Sequence, residues 1–128
     1  MIRGTVRSQE ARIQLKVRGP RNREREIGAI IDTGFTASLT LPPALISSLK
    51  LRWHSSERGT LADGSECLFD LYEATVVWDR AAKRILVAES NADPLVGMGL
   101  LDGHELIVQV SEGGKVEIRR LQLEAPQG

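Results

Sequence analysis

The chain has 128 residues, which suits a single domain around one hydrophobic core. Its 17 basic and 17 acidic side chains cancel, which argues against nucleic acid or an anionic membrane as a partner. Because the one cysteine cannot form a disulfide within the chain, and because neither a signal peptide nor an apolar run of roughly 20 residues is present, we expect a cytoplasmic protein.

The first half of the chain predicts a β-hairpin followed by a short helix. Polar and apolar residues alternate over Arg12–Arg18, as in a strand with one solvent-exposed face. Residues 19–23 predict the hairpin tip, and residues 26–31 the return strand, which we expect to be buried on both faces. Pro42-Pro43 is typical of a helix start, and this helix is predicted to run to about Leu51.

Arginines are frequent around this first hairpin tip. Four of them lie close together in the sequence: Arg18, Arg21, Arg23 and Arg25. Because Glu24 and Glu26 alternate with them, we interpret the cluster as a solvated loop and not as a binding patch.

The second half of the chain predicts strands joined by short turns. Five strands are predicted, each bounded by turn residues: Trp53–Leu61, Ser65–Trp78, Arg84–Glu89, Glu105–Val110 and Val116–Leu121. Residues 97–102 predict a short helical turn ending at Gly103, and Met98, Leu100 and Leu101 are interpreted as core residues. Residues 124–128 are expected to be a frayed tail. Together these elements predict an all-β domain with one helix and one helical turn.

Asp32-Thr33-Gly34 carries the clearest chemical signal, because it directly follows the apolar run 27–31. Burying a carboxylate costs several kcal/mol unless it is paired or hydrogen-bonded, so an aspartate at the end of a buried strand is rarely there for structure alone. No second Asp-Thr-Gly or Asp-Ser-Gly occurs in the sequence. If this carboxylate acts with a twin, the twin must come from a second copy of the chain.

Two further motifs follow Asp32 at similar intervals: Ala62-Asp63-Gly64, a tight-hairpin signal, and Pro94–Leu101, a segment with two apolar residues before Gly97. In this order the sequence resembles the retropepsin-like aspartic proteases, the single-domain branch of clan AA, over about Arg12–Leu121. It looks closest to the cellular members whose signature reads Asp-Thr-Gly-Phe, which here ends at Phe35. The resemblance implies a closed β barrel that acts as a two-fold dimer.

The resemblance also implies the roles of the triplet. Asp32 from each subunit would share one proton and activate a water, because like charges about 3 Å apart do not both ionise easily. Thr33 would hydrogen-bond across to the other subunit. The N–H of Gly34 would hydrogen-bond a carboxylate, and a Cβ at this position would crowd the site.

The hairpin at about residues 59–67 corresponds to the flap of this family, which closes over an extended peptide. Ala62, Asp63 and Gly64 would then contact the substrate, although an ordinary surface hairpin remains an alternative. Asp63 departs from the small or apolar tips of retroviral members, and it is either a turn residue or a determinant of substrate preference.

Phe35 is the main departure near the site, since many family members carry serine or alanine there. A serine can hydrogen-bond the catalytic carboxylate, so phenylalanine predicts a milder acidic optimum. Phe35 and Thr36 would line the cleft, or Phe35 would be a core aromatic. Leu95, Val96 and Gly97 would pack behind the Asp32 loop as structural support.

Other side chains suggest no competing chemistry. His54 and His104 have no nearby cysteine or carboxylate at metal-ligand spacing, so a metal site is not expected, and Cys67 is interpreted as an inert thiol. The resemblance implies an aspartic endopeptidase that needs no metal or organic cofactor and whose partners are a second copy and a protein or peptide substrate.

Two alternatives remain open: a non-catalytic peptide-binding or dimerisation module, and a hydrolase restricted to its own precursor or one partner. In the family, terminal strands interleave between subunits, so the last strand could be an edge that a partner covers, as could residues 1–7.

Overall fold

The structure is a computed structural model that describes residues 1–61 and 63–122. Strands take 58% of the protein and helices 9%, which confirms the all-β class. Within the described ranges, no helix has the length and apolar character required to cross a membrane. The tail at 124–128 and the predicted flap residue Ala62 lie outside the described residues.

Short strands and two brief helices alternate along the described chain. Their bounds are β1 Ile2–Arg7, β2 Glu10–Arg18, β3 Glu24–Ile31, β4 Leu39–Leu41, α1 Pro43–Leu49, β5 Arg52–Thr60, β6 Glu66–Trp78, β7 Ala81–Glu89, β8 Leu95–Val96, α2 Met98–Leu101, β9 His104–Val108 and β10 Lys115–Arg120.

All strands belong to one sheet in the order β5-β6-β7-β4-β8-β3-β2-β1-β10-β9. Neighbours are antiparallel except for the parallel pairs β3–β8 and β4–β7. β6 also pairs with β2, where Lys16 lies opposite Val77 and Arg18 opposite Thr75. The pairing path from β2 through β3, β8, β4, β7 and β6 therefore returns to β2.

The core lies against one face of these strands, as the strand periodicity predicts. In β2 the side chains of Ile13, Leu15 and Val17 are buried, and the residues between them are exposed. The expectation that β3 is buried on both faces is wrong. Ile27 and Ala29 are buried, but residues 26 and 28 are exposed because the pleat turns them away from the interior.

The end of helix α1 differs from expectation. Helix α1 ends at Leu49 because Lys50 adopts a left-handed conformation with φ 51° and caps the helix through its backbone N–H.

The expectation that the last strand could be an edge is also wrong, since β10 lies between β1 and β9. β1 is likewise paired on both sides, so among the described residues the free edges of the sheet belong to β5 and β9.

Candidate active site

Asp32 lies in a tight turn at the end of β3, and its backbone is fixed on both sides. Its N–H donates to the carbonyl of Val96 at 2.9 Å, and its own carbonyl accepts the N–H of Phe35 at 3.1 Å. The N–H of Gly34 donates to the carboxylate Oδ1 at 2.9 Å. The carboxylate is half-buried, and Thr33 and Gly34 are exposed beside it. The turn therefore orients a carboxylate toward an open surface.

Gly34 leaves room for that carboxylate. A Cβ at Gly34 would lie 3.3 Å from Oδ1 of Asp32, which is tighter than an ordinary contact between such atoms. The residue does not need a left-handed backbone, so its value lies in the close approach of the N–H to the carboxylate.

The segment 94–99 holds the Asp32 loop from behind. β8 runs parallel to the end of β3, with Leu95 opposite Ile30 and Val96 opposite Ile31. Three consecutive N–H groups then donate to loop carbonyls: Gly97 to Ser38 at 3.0 Å, Met98 to Phe35 at 2.7 Å and Gly99 to Ala37 at 3.1 Å. Leu95, Val96 and Gly97 thus lie where the resemblance implies structural support.

Phe35 and Gly97 are in close contact. A Cβ on Gly97 would come within 2.2 Å of the Ala37 carbonyl oxygen and 2.5 Å of the Phe35 ring, so only glycine fits there. Phe35 is half-buried and does not belong to the buried core, whereas Thr36 is exposed. Phe35 therefore packs within the loop and is not a core aromatic.

Thr40 supports the site and was not identified from the sequence. It is 7% exposed, and its hydroxyl accepts the N–H of Leu95 at 2.9 Å. Alternation in Leu39-Thr40-Leu41 suggests that the threonine faces solvent. In the structure, however, all three residues of β4 are buried, and the strand is paired with β7 and β8. The only signal in the sequence for this role is that the Thr40 hydroxyl lies between two leucines.

The expectation that Met98 is a core residue is wrong, since its side chain is 48% exposed while Leu100 and Leu101 are buried. A helix as short as α2 buries only one side.

The Asp32 loop and segment 94–99, which are joined by backbone hydrogen bonds, expose six residues at this surface: Thr33, Gly34, Thr36, Ala37, Met98 and Gly99.

The predicted flap is a long arm of the sheet. β5 and β6 pair from Thr60 opposite Glu66 back to Arg52 opposite Glu73. β7 pairs with β6 only from Leu71 onward. Residues 56–60 and 66–70, here called the hairpin arm, therefore pair with no further strand among the described residues.

At the tip of the arm, Asp63 acts as a turn residue. Its Oδ1 accepts hydrogen bonds from the Ser65 hydroxyl at 2.5 Å and the Ser65 N–H at 2.9 Å. The hydroxyl, and then the N–H, lower the pKa of Asp63. Gly64 has φ +85°, and its N–H donates to the Leu61 carbonyl at 2.9 Å. This is the left-handed position that glycine was expected to fill.

The two faces of the arm differ. Gly59, Cys67 and Phe69 lie on one face and are half-buried. The Phe69 ring covers Gly59 so closely that a Cβ there would come within 2.2 Å of it. On the opposite face Leu68 is 69% exposed. The arm therefore has a packed apolar face and a solvent-exposed one.

Strand pairing and backbone hydrogen bonds join the Asp32 turn to segment 94–99. Across residues 1–61 and 63–122, no hydrogen bond or ion pair joins the arm to the turn. Nor does this part of the chain contain a group of three or more His, Cys, Asp or Glu side chains able to hold a metal ion.

Comparisons with protein-family models, with curated proteins and with solved structures find no match for this chain.

Proposed function

We propose that this chain is an aspartic endopeptidase with a retropepsin-like closed β barrel, active as a two-fold homodimer. The observation that carries the proposal is the setting of Asp32. Its carboxylate lies at the end of a core strand, in a turn held by backbone hydrogen bonds to Val96 and Phe35, and faces an open surface. Such fixed positioning is what a catalytic carboxylate requires.

The two-fold dimer supplies the second carboxylate that the mechanism needs. With both Asp32 side chains on the axis, one is ionised and the other holds the shared proton. The ionised carboxylate takes a proton from water as its oxygen attacks the peptide carbonyl, and the protonated carboxyl gives its proton to the carbonyl oxygen. The tetrahedral intermediate then collapses and the C–N bond breaks, as the first carboxyl passes the proton taken from water to the leaving nitrogen. A hydroxyl of the intermediate returns its proton to the second carboxylate, which restores the starting state of the pair.

Contacts within one chain support these roles of the two carboxylates. The Gly34 N–H engages Oδ1 of Asp32 and leaves the second carboxylate oxygen for water and for the partner. Thr33 is exposed next to it, which suits a hydrogen bond across the axis. The exposed rim around the turn would be covered by the second copy.

The hairpin arm is suited to close over a peptide. It pairs with no strand beyond its own two in the described chain, so it can move without breaking the rest of the sheet. Its half-buried face carries Gly59, Cys67 and Phe69, which we assign to contact with an extended substrate.

Cleavage of a mixed peptide library between about pH 4 and 7 tests this function. Activity is expected in the wild type, and its loss is expected with a transition-state-mimicking aspartyl-protease inhibitor and in Asp32→Asn. Asparagine keeps an oxygen that can accept the Gly34 N–H, so this variant should fold normally. The matched control is Asp93→Asn, an exposed acid outside the site. Cleavage that persists unchanged in Asp32→Asn would overturn the proposal.

The alternative is a non-catalytic peptide-binding or dimerisation module, and the free edge of β5 favours it. An extended peptide can add to such an edge through main-chain hydrogen bonds. Binding of intact peptides with equal affinity to the wild type and to Asp32→Asn, without cleavage, would select this function.

A further inference from the structure

A basic pocket of about 270 Å³ lies outside the Asp32 site, between the tip of the first hairpin and strands β5, β6 and β7. Its lining residues are Arg18, Gly19, Pro20, Arg52, Glu73, Ala74, Thr75 and Arg84. None of them belongs to the Asp32 turn or to segment 94–99. The pocket therefore needs an explanation of its own.

Strand register brings its three arginines together. Thr75 of β6 lies opposite Arg18 of β2 on one side and opposite Arg84 of β7 on the other. Glu73, the preceding β6 residue on the same face of the sheet as Thr75, lies opposite Arg52 of β5. Residues opposite each other on antiparallel strands have Cβ atoms about 4.5–5.5 Å apart on one face, so arginines from three strands and one glutamate line the same pocket.

The charges in the pocket are unbalanced. Arg18 is held by Glu24, with Nε 3.1 Å from the carboxylate. By contrast, Arg52 and Arg84 form no ion pair with any residue in 1–61 or 63–122, and Glu73 forms none there either. Guanidinium groups bind carboxylates and phosphates in bidentate geometry, so an added oxyanion would balance this excess positive charge.

The pocket continues into a second one with a different character. A neighbouring pocket of about 260 Å³ shares Glu73, Ala74 and Arg84 with the first. It extends to His54, Ile85 and Leu86, and Leu86 is 37% exposed. The combined groove thus has a basic end and an apolar end, with Arg84 between them. A free anion would use only the basic end, whereas a polypeptide can use both.

We propose that this groove binds a polypeptide through an oxyanion, either a side-chain carboxylate or a phosphorylated side chain. Arg52 and Arg84 hold the oxyanion, and an adjacent apolar side chain of the ligand packs on Leu86. Of the arginines around the first hairpin tip, only Arg18 lines the pocket. This binding function is additional to peptide cleavage and does not depend on it.

Calorimetric titration of the full chain carrying Asp32→Asn, so that no ligand is cleaved, tests the proposal. Three peptides of one length are compared, with phosphoserine, glutamate or glutamine placed next to leucine, beside inorganic phosphate alone. Both anionic peptides are expected to bind about tenfold or more tightly than the glutamine peptide. The tighter of the two identifies whether phosphate or carboxylate is the natural group.

Substitutions of the residues that line the pocket test whether the peptides bind there. Arg52→Gln with Arg84→Gln should weaken the anionic peptides about tenfold or more, and Glu73→Gln should tighten them, since it removes the competing carboxylate. Arg3→Gln is the matched control, because Arg3 is an exposed arginine on β1 outside the pocket. Circular dichroism confirms that each variant is folded.

Several results would overturn the proposal. One is equal affinity for the anionic and neutral peptides, and another is a loss of affinity in Arg3→Gln as large as in the double variant. If inorganic phosphate alone binds as tightly as the phosphoserine peptide, the polypeptide contributes nothing and the proposed ligand class is wrong.

Discussion

Phe35 and Gly97 are coupled by direct contact: a Cβ on Gly97 would come within 2.5 Å of Cδ2 of the Phe35 ring. The same Cβ would meet the Ala37 carbonyl oxygen at 2.2 Å, and that backbone atom has little freedom to move. The glycine after Leu95-Val96 and the phenylalanine after the Asp-Thr-Gly triplet thus belong to one packing arrangement. This arrangement fixes the Asp32 turn against β8 and α2.

Gly97→Ala should destabilise the fold and abolish activity, because its new methyl group cannot avoid the Ala37 carbonyl. We expect a loss of about 1–3 kcal/mol or more in the free energy of unfolding, measured by denaturant titration. Gly28→Ala is the matched control, since its Cβ would meet only the flexible end of Gln14, at 3.3 Å. Equal stability of the two variants would contradict the packing described for Gly97.

Phe35→Ser should move the pH optimum of peptide cleavage to a lower value. In the family that the sequence resembles, a serine at this position can hydrogen-bond the catalytic carboxylate, and phenylalanine cannot. Loss of the half-buried ring should also cost about 1–2 kcal/mol of stability. The measurement is a pH–rate profile of both proteins, and an optimum that stays unchanged or rises would refute this role for residue 35.

Thr40→Val should destabilise the protein by about 1–3 kcal/mol, because it leaves the N–H of Leu95 without its acceptor in a partly buried position. Thr40→Ser keeps the hydroxyl and should retain most of the stability that valine loses. Denaturant titration of both variants checks the difference. A valine variant as stable as the serine variant would mean that the hydrogen bond contributes nothing.

Asp63 should titrate below its ordinary pKa of 3.8, since the hydroxyl and N–H of Ser65 favour its ionised form. Ionised Asp63 should stabilise the hairpin tip fully above its ordinary pKa, and this stabilisation should be lost as the pH falls through the lowered pKa. Carboxyl NMR titration should therefore give a higher pKa for Asp63 in Ser65→Ala. An identical titration in both proteins would exclude Ser65 as the cause.

Local features of the fold could be predicted because local sequence determines them. The alternation in β2 follows from a buried core on one side of the strand, and Asp63-Gly64 marks the hairpin tip because glycine accepts φ +85° there. The position of the Asp32 turn beside segment 94–99 was expected only from the resemblance to a known family. The parallel pairing of β3 and β8 provides its physical basis.

Features set by distant pairing could not be predicted. The Thr40 hydroxyl accepts the N–H of Leu95 because β4 lies beside β8, and no local pattern reveals that neighbour. β10 is internal because β1 occupies its second edge, which depends on residues more than a hundred positions away. The basic pocket likewise exists only because β6 pairs with β2, which places Arg18 near Arg84.

The central claim is that two copies share one pair of catalytic carboxylates. Its most direct test is the rate of peptide cleavage by a fixed amount of wild type mixed with increasing Asp32→Asn protein, after the subunits have exchanged. With equal amounts of each, random pairing should reduce the rate to about half, and excess variant should suppress it further. A cleavage rate that stays constant whatever the amount of variant would mean that each chain works alone and would contradict the shared site.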